Sequence, residues 1–558
     1  MSGNRIVIVG GVAAGASAAA KARRCSEEAE IILFEKDAEI SYATCGMPYY
    51  LGGIIDKRRR LIVTDPAFFR KRFRVDVRTG QEVTAIDRAA REVVVRDMAS
   101  GEVRRQGYDQ LILATGAKPV IPPVPGVDRP FVFFLKTLAD TDRLHAFLQA
   151  ARPRTAVLIG AGLIGMETAE NLAGLGVEVA MVDFLPQVLG FLDQDMAIPV
   201  QGHLAAKGVR LFLGERVAAI DEEDGRGLVV TAAGRRLPAD LVLLGVGVRP
   251  NVDLAREAGL AIGAKGGIVV DAEMRTADPH ILAAGDCIET VQLVTGSPMF
   301  FPMGSAANKQ GRAAGANACG RHIQVPGFVG TVIVKVFDLT VAKTGLSERE
   351  AAAEGFSPQV THILADDHAG YYPGAKEIHL KIIADAASGR LLGAQAIGEA
   401  GVDKRIDVLA CALYNRMQAA DLIHLDLAYA PPYSSARDPL VVAGALSQNL
   451  AAGDWQPVTA PELETRLGAG EDLVLVDLRT RGELLRTGVI PGARHLPVDE
   501  LRDRMAELDP GRAIVLYCAV GLRSYLANRI LALAGYPRVQ TLTGGFAAWT
   551  ADRHPFAG

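Results

Sequence analysis

Cysteine is scarce in this 558-residue sequence, and long apolar runs are missing. The six cysteines are scattered, without the close spacing of a disulfide framework or of a zinc site. The apolar stretch 156–166 is too short to span a bilayer and is broken by glycines. No targeting segment precedes the first predicted strand, which begins at Arg5. We therefore expect a cytoplasmic protein with no structural metal and no membrane partner.

The charge balance is only slightly acidic. The formal net charge is −4 and the sequence pI is about 6.2, which argues against a nucleic-acid partner for the protein as a whole. Apolar residues make up 49% of the chain, so it can bury large cores, and its length suits about three or four domains.

A glycine-rich turn joins a predicted strand to a predicted helix in the segment TAVLIGAGLIGMETAENLAG, residues 155–174. Its Gly160, Gly162 and Gly165 match the GxGxxG fingerprint, which lets the backbone approach a pyrophosphate at a helix N-terminus. Asp183 ends the next predicted strand, where a carboxylate binds ribose hydroxyls. The residues that follow are FLPQ, with no Arg or Lys for a 2′-phosphate. This site therefore predicts NADH in preference to NADPH.

The N-terminal segment repeats this pattern with one departure. Val12 stands where the fingerprint has its middle glycine, and Glu35 closes the following strand as a second ribose partner. Two later segments, ATG and AGD, also follow buried strands and belong with this site. We assign to it Gly10, Gly11, Ala14, Gly15, Glu35, Lys36, Ala114, Thr115, Gly116 and Asp286.

The order of these patterns predicts an α/β chain in which one Rossmann-like dinucleotide-binding domain is inserted into another. Later residues pattern first as an α+β domain with antiparallel strands and then as a separate α/β domain. The expected boundaries are 1–119 and 251–325 for the first dinucleotide domain, 120–250 for the inserted domain, 326–446 for the α+β domain, 447–458 for a linker and 459–558 for the last domain.

This succession of motifs resembles the two-dinucleotide flavoprotein disulfide reductases over residues 1–445. The resemblance implies that the first site holds FAD and that the inserted site holds NAD(P)H. It also implies that the α+β domain forms a homodimer.

Cys45 lies in the stretch SYATCGMPYY, just past the first dinucleotide unit, and no second cysteine is near it. A lone cysteine is commonly a small buried apolar residue. If Cys45 is redox-active, it must store oxidation as a mixed disulfide, a persulfide or a sulfenic acid. Pro48 suits the first turn of a helix, and a helix start beside the thiol would stabilise a thiolate at Cys45. The stretch resembles the single-cysteine branch of the family, which contains coenzyme A-disulfide reductase, NADH oxidase and NADH peroxidase.

Ala13 bears on the choice of substrate within this branch. The oxidase and peroxidase members carry a histidine at the corresponding place in the first glycine turn, so Ala13 disfavours oxygen or peroxide. The segments AGYYPG and LAYAPPYSSARDP resemble coenzyme A-disulfide and persulfide reductases, in which two tyrosines reach the active cysteine, one from each subunit. The resemblance implies that Tyr371 and Tyr429 are catalytic and protonate a leaving thiolate at an active site shared between subunits. The alternative is that they only pack a dimer interface.

Coenzyme A requires cations for its phosphates. By resemblance, Arg24, Ser41 and Arg312 occupy coenzyme A-contact positions. Lys71 and Arg72, in the basic run RKRFR, are further candidates, although such a run is as often a solvated face. Tyr433 completes the substrate-binding residues that we expect.

The last hundred residues carry a second cysteine motif. The segment CAVGLRS, which starts at Cys518, follows a predicted strand and precedes a helix, so backbone N–H groups can stabilise a thiolate or a persulfide anion there. Together with VDLRTRGELLRTGVIPGARHLPVDEL and LTGGFAAW, it resembles a single rhodanese domain. Val489 stands where that family often has a histidine. The resemblance implies sulfur transfer by Cys518, with Arg523 anchoring the loop or an anionic substrate.

These features predict an NADH-driven FAD enzyme that reduces coenzyme A persulfide, polysulfide or coenzyme A disulfide at Cys45 and is fused to a rhodanese sulfurtransferase. Persulfide or polysulfide is favoured over the disulfide because a rhodanese handles sulfane sulfur. One alternative is an NADH oxidase or peroxidase with a sulfenic acid at Cys45. Another is a redox sensor or sulfur carrier whose flavin half is regulatory.

Overall fold

The structure is a computed structural model that describes residues 4–551. The last seven residues of the expected domain 459–558 lie outside this range. The chain forms two compact units. The first contains the chain up to Phe184 together with Phe212–Phe328. The second contains Leu185–Leu211 together with the chain from Val329 onward. No helix within the described residues is long and apolar enough to cross a membrane.

The first unit contains a five-stranded parallel sheet that is buried on both faces, as a parallel sheet requires. Two helices, Ala13–Cys25 and Gly304–Asn317, pack closely because glycines meet alanines along their contact. A Cβ atom on Gly311 would lie 2.1 Å from the carbonyl oxygen of Ala14. In spatial order the strands are Ile281–Ala283, Gln110–Leu113, Arg5–Val9, Glu30–Glu35 and Asp76–Thr79.

A second five-stranded sheet is formed by chain segments that lie between two strands of the first sheet in sequence. This arrangement confirms the predicted insertion of one dinucleotide fold into the other. Where the chain leaves and returns, Ala117–Pro119 pairs antiparallel with Val248–Pro250. The helices Leu138–Ala151 and Leu163–Gly174 belong to this part of the chain. In spatial order the strands are Arg210–Leu213, Glu178–Asp183, Thr155–Ile159, Leu241–Leu244 and Val132–Phe133.

The remaining elements of the first unit are short. One antiparallel three-stranded sheet contains Gln81–Asp87, Glu92–Asp97 and Val103–Gly107, and another contains Val217–Glu223, Arg226–Thr231 and Arg236–Ala239. A two-stranded ribbon pairs Thr290–Val291 with Pro298–Met299. The short helical segments are Thr44–Gly46, Met47–Leu51, Arg58–Leu61, Pro66–Phe73 and Asp253–Glu257.

The second unit contains a five-stranded antiparallel sheet, as the α+β pattern predicted. Its strands are, in spatial order, Val332–Val336, Leu339–Gly345, Leu391–Gly398, Glu377–Asp385 and Pro358–Asp366. The accompanying helices are Glu348–Ala353, Val402–Tyr414, Ala419–His424 and Pro439–Ala451.

The segment 185–211, which includes the helix Gln194–Ala206, also lies in this second unit. Lys381, on a strand of the antiparallel sheet, is almost fully buried, and its Nζ lies 2.9 Å from carboxylate oxygens of both Asp195 and Glu348. The expected boundaries 120–250 placed this segment in the inserted dinucleotide domain. Its charge pairs instead hold it against the antiparallel sheet.

The expected linker 447–458 is mostly regular structure. The helix Pro439–Ala451 continues into it because Leu450 and the preceding apolar residues are buried. Pro457–Val458 is a strand that pairs with Val539–Leu542. The expectation rested on polar, glycine-containing composition, which tertiary burial overrides here.

The C-terminal part of the second unit has its own five-stranded parallel sheet. The strands are, in spatial order, Pro457–Val458, Val539–Leu542, Ala513–Tyr517, Leu473–Asp477 and Arg494–His495. The helical segments are Ala460–Gly468, Arg481–Thr487, Val498–Glu500, Leu501–Arg504, Met505–Glu507, Leu522–Leu533 and Gly545–Ala551.

Candidate functional sites

The first glycine turn has the geometry that a dinucleotide cradle requires. Gly10 has a φ of 98°, and a Cβ atom there would lie 2.2 Å from the carbonyl oxygen of Ala114. Gly15 is equally restricted, since its Cβ would lie 1.8 Å from the carbonyl oxygen of Gly10. Glu35 accepts a hydrogen bond of 2.7 Å from the Gly11 N–H, and burial raises the pKa of Glu35. The strand-end carboxylate therefore lies directly beneath the turn.

The two later segments of this site lie beside the same turn. The Ala114 N–H donates to Val9 at 2.8 Å, and the Thr115 hydroxyl donates to the carbonyl of Asn251 at 2.6 Å. Asp286 lies 3.4 Å from Lys136 Nζ, a cation that motif reasoning missed because no local pattern marks it. The other predicted residues of this site are the buried Ala14, the exposed Lys36 and Gly116, which has a φ of 68°.

The second glycine turn repeats this arrangement. Gly160 has a φ of 106°, and its Cβ would lie 2.4 Å from the carbonyl oxygen of Gly245. Asp183 accepts a hydrogen bond of 2.7 Å from the Ala161 N–H, as Glu35 does from Gly11. A Cβ on Gly165 would lie 2.3 Å from Gly160 O, whereas a Cβ on Gly162 would meet no atom within 4 Å. The space above Gly162 is therefore open, where a phosphate would approach the helix start.

Cys45 is exposed and lies in the 3₁₀ turn Thr44–Gly46, directly before the helix Met47–Leu51. Pro48 is in the first turn of that helix, as predicted, but the helix has only five residues. It packs against the helix Leu163–Gly174 of the second dinucleotide site. The Cys45 segment is thus tied to the helix that begins at the second glycine turn.

Tyr49 and Glu167 form the polar contact between these two helices, with the Tyr49 hydroxyl donating to Glu167 at 3.2 Å. Burial and the nearby Glu167 raise the pKa of Tyr49, and burial also raises the pKa of Glu167. Neither residue was predicted from the sequence as part of a site. The motif GMPYY contained Tyr49, but nothing local pointed to Glu167 as its partner.

The predicted substrate-binding residues of the first unit fall in three places. Ser41 has a φ of 49°, and its N–H donates to the carbonyl of Gly11 at 2.9 Å, so it lies between the first turn and the Cys45 segment. Arg24 and Arg312 are exposed on the two closely packed helices of the first unit. Lys71 and Arg72 are exposed on the separate helix Pro66–Phe73.

Tyr371 and Tyr429 come together on two adjacent loops of the second unit. Their hydroxyl oxygens lie 3.3 Å apart, and this hydrogen bond raises the pKa of Tyr371. The side chains are 77% and 52% exposed, and that of Tyr433 is 71% exposed. The paired phenols of Tyr371 and Tyr429 and the exposed ring of Tyr433 can each contact another molecule or another subunit.

Cys518 is buried at the end of the strand Ala513–Tyr517 and before the helix Leu522–Leu533. Its Sγ accepts the Gly521 N–H at 3.1 Å and lies 3.6 Å from Ser524 Oγ. A backbone donor therefore points at the sulfur, as predicted for a loop that stabilises a thiolate.

Arg523 is held by Glu483 through two contacts of 2.6 Å and 2.8 Å. The guanidinium holds the pKa of Glu483 well below its usual range, and Glu483 raises that of Arg523. Of the two roles that the sequence left open, this geometry matches anchoring of the loop. Glu483 was missed, although the capping pattern Thr480 to Glu483 was visible in TRGE.

Comparisons with known proteins show the family and the domains of this chain. The model of the pyridine nucleotide-disulphide oxidoreductase family matches residues 4–305, that of the family's dimerisation domain matches residues 331–440, and that of the rhodanese-like domain matches residues 459–552. A CoA-dependent NAD(P)H sulfur oxidoreductase of Pyrococcus abyssi is 37% identical over 438 residues, 78% of this chain and 96% of that protein.

Two solved structures match nearly the whole chain. The crystal structure of reduced Bacillus anthracis CoADR-RHD has a TM-score of 0.95 at 40% identity, covering 99% of this chain and 98% of that one. The structure of a NAD-dependent persulfide reductase from A. fulgidus has a TM-score of 0.91 at 39% identity, covering 98% and 100%. These matches confirm the predicted resemblance and the predicted fold class.

Proposed function

Because the chain belongs to the pyridine nucleotide-disulphide oxidoreductase family, we propose that it uses NADH to reduce coenzyme A persulfide, polysulfide or coenzyme A disulfide at Cys45. The observation that carries this proposal is the position of Cys45, an exposed thiol in the short segment that connects the two dinucleotide turns. Ser41 bonds that segment to the first turn, and Tyr49 bonds it to the helix of the second.

FAD and NADH fit the two turns. Gly10, Gly15 and the buried Glu35 form the cradle for FAD, and Gly160, Gly162 and Asp183 form that for NADH. When bound, these cofactors supply the two electrons that return oxidised Cys45 to its thiolate.

A single cysteine is sufficient if the substrate brings the second sulfur. The Cys45 thiolate attacks the carbon-bound sulfur of coenzyme A persulfide, the S–S bond of the substrate breaks, and hydrosulfide leaves. The product is a mixed disulfide between Cys45 and coenzyme A. Two electrons and one proton then cleave it to the Cys45 thiolate and free coenzyme A. With coenzyme A disulfide, the first leaving group is a coenzyme A thiolate.

The dimerisation-domain match suggests a homodimer, and we propose that its active sites are shared between subunits. The resemblance implied one tyrosine from each subunit, but the two hydroxyl oxygens lie 3.3 Å apart within one chain. We therefore propose that Tyr371 and Tyr429 of one subunit together face Cys45 of the other and protonate the leaving sulfur. Their high exposure and mutual hydrogen bond support this role.

Further residue roles belong to the same proposal. Arg24, Ser41, Arg312 and Tyr433 would bind coenzyme A, while Lys71 and Arg72 stay predictions. Cys518 would carry sulfane sulfur on its own domain, with the Arg523–Glu483 pair fixing the loop. The reaction would take place in the cytoplasm. We propose the domain boundaries as expected from sequence, apart from the segments 185–211 and 447–458 described above.

Steady-state NADH oxidation with a panel of acceptors tests the function: coenzyme A persulfide, polysulfide, coenzyme A disulfide, oxygen and peroxide. We expect turnover with the sulfur substrates, fastest with persulfide or polysulfide, and its loss in Cys45→Ser. Cys411→Ser is the matched control, since Cys411 is also exposed. Much faster disulfide turnover would overturn the persulfide preference, and full activity of Cys45→Ser would overturn the mechanism. Faster consumption of oxygen or peroxide would favour the oxidase or peroxidase alternative.

A further inference from the structure

An arginine from a distant part of the sequence lies beside the ribose end of the second dinucleotide site. Phe184 directly follows Asp183 and is 55% exposed. The guanidinium carbon of Arg216 lies 5.1 Å from the centroid of the Phe184 ring. The Glu215 N–H donates to the carbonyl of Asp183 at 3.0 Å, which fixes the arginine-bearing loop against the end of the strand.

Asp183 and Arg216 have opposite preferences for a ribose. The Asp183 carboxylate, already bonded to the Ala161 N–H, favours the free hydroxyls of NADH and repels a 2′-phosphate. An exposed guanidinium next to it attracts that phosphate and forms two parallel hydrogen bonds with its oxygens. The sequence predicted NADH because no Arg or Lys directly follows Asp183. In the fold, however, Arg216 follows the strand Arg210–Leu213 and lies over the Phe184 ring.

A second stacked arginine lies on a neighbouring turn, whose Ala232 N–H donates to the carbonyl of Arg216 at 2.8 Å. Arg235 lies over Phe212 at 4.6 Å, and its Nε pairs with Glu215 at 3.1 Å. Its charge is therefore largely neutralised by a carboxylate. Arg216 stacks on the ring that follows Asp183, so the two arginines provide a natural comparison.

We infer that Arg216, held against Phe184, is the residue that contacts the 2′-phosphate of NADPH, so that it sets how this chain divides its preference between NADPH and NADH. This inference rests on the proposed function, in which the second site binds a nicotinamide dinucleotide. The aromatic ring limits the orientations of the guanidinium and so reduces the entropy that is lost when it meets the phosphate.

Calorimetric titration of the flavin-loaded protein with ADP-ribose and with 2′-phospho-ADP-ribose tests the inference without relying on turnover. In Arg216→Ala, the affinity ratio of the phosphorylated to the unphosphorylated ligand should fall by roughly tenfold or more, the usual worth of a charge-assisted contact. Arg216→Lys should recover part of the ratio, and Arg235→Ala should keep it. The ratio of kcat/KM for NADPH to that for NADH should follow the same order.

The outcomes separate this inference from the proposed function. If the flavin is reduced by NADH but Arg216→Ala leaves both ratios as in the parent chain, the inference is wrong and the proposed function stands. An equal loss of both ratios in Arg235→Ala would also overturn it, because the effect would then be one of general charge. If the parent chain binds neither ligand and NADH does not reduce the flavin, both proposals fail.

Discussion

The hydroxyl oxygens of Tyr371 and Tyr429 lie 3.3 Å apart on two loops that are themselves joined by a hydrogen bond from the Ala369 N–H to Pro431. A phenol has one proton to donate, so in such a pair one hydroxyl donates to the other. The accepting hydroxyl keeps its own proton for a third atom. In the proposed function this remaining proton is the one that the pair delivers to the leaving sulfur, and both rings are exposed.

Replacement of either tyrosine by phenylalanine removes this donor while keeping the ring. We expect Tyr371→Phe and Tyr429→Phe each to lower kcat for coenzyme A persulfide reduction by about tenfold to hundredfold. The double variant should lose little more than the worse single variant, because the two hydroxyls act as a unit. Tyr414→Phe, an exposed tyrosine of the same domain, is the control. Unchanged kcat in both single variants would leave only an interface-packing role.

Gly162→Ala separates cofactor binding from folding. An added Cβ at Gly162 meets no protein atom within 4 Å, so the variant should fold and retain its flavin. The same methyl group stands where the pyrophosphate approaches the turn, and we expect KM for NADH to rise by roughly tenfold or more. Gly160→Ala is the contrast, because its Cβ would lie 2.4 Å from the Gly245 oxygen and should destabilise the whole site. Normal KM for NADH in Gly162→Ala would argue against a dinucleotide at this turn.

The Arg523–Glu483 pair should matter for sulfur transfer more than for stability. Because Glu483 is half-buried and bonded twice to Arg523, Glu483→Gln should loosen the Cys518 loop. We expect thiosulfate-to-cyanide sulfur transfer to fall by about tenfold, with NADH-driven persulfide reduction at Cys45 retained. Glu471→Gln breaks the exposed Arg466–Glu471 pair of the same domain and serves as control, since such pairs contribute little. Equal sulfur-transfer rates in the two variants would contradict the anchoring role.

Local patterns were enough to predict the strands, the turns and the two cysteine loops of this chain. Gly10, Gly160 and Cys518 lie where a strand passes into a helix, and each such boundary is marked by neighbours in sequence. The helix end and the strand within the expected linker 447–458 were not predictable in this way. Its composition is polar, but the buried faces of Leu450 and Trp455 depend on residues far away in the chain.

The site contacts that could not be predicted from the sequence join segments that are distant in the chain. Glu167 meets Tyr49, and Lys136 meets Asp286, across more than a hundred residues of sequence. No spacing rule relates such pairs, because it is the packing of helices and loops that brings them together. Arg216 could not be predicted for the same reason, because it is distant in sequence from Asp183 and Phe184.

A half-buried histidine in the antiparallel sheet predicts a dependence of stability on pH. His379 lies 3.1 Å from His362, and burial together with the neighbouring His362 and Lys381 lowers the pKa of His379 to about 3. Although burial opposes it, His362 and Lys381 hold the pKa of Asp195 below its usual range. The stability that this carboxylate contributes is therefore kept down to its unfolded pKa of about 4 and is lost only as the pH falls below that value.

Between about pH 6.5 and pH 4, therefore, the unfolded chain takes up a proton at His379 that the folded chain does not. The free energy of unfolding should fall as the pH is lowered through this window, by about 1.4 kcal/mol per pH unit for this one group. His379→Asn should flatten that slope, whatever its effect on stability at neutral pH. His424→Asn, at an exposed histidine of the same unit, should flatten it much less. Urea unfolding at several pH values measures both slopes, and equal slopes in the parent chain and His379→Asn would show that His379 does not stay neutral in the folded protein.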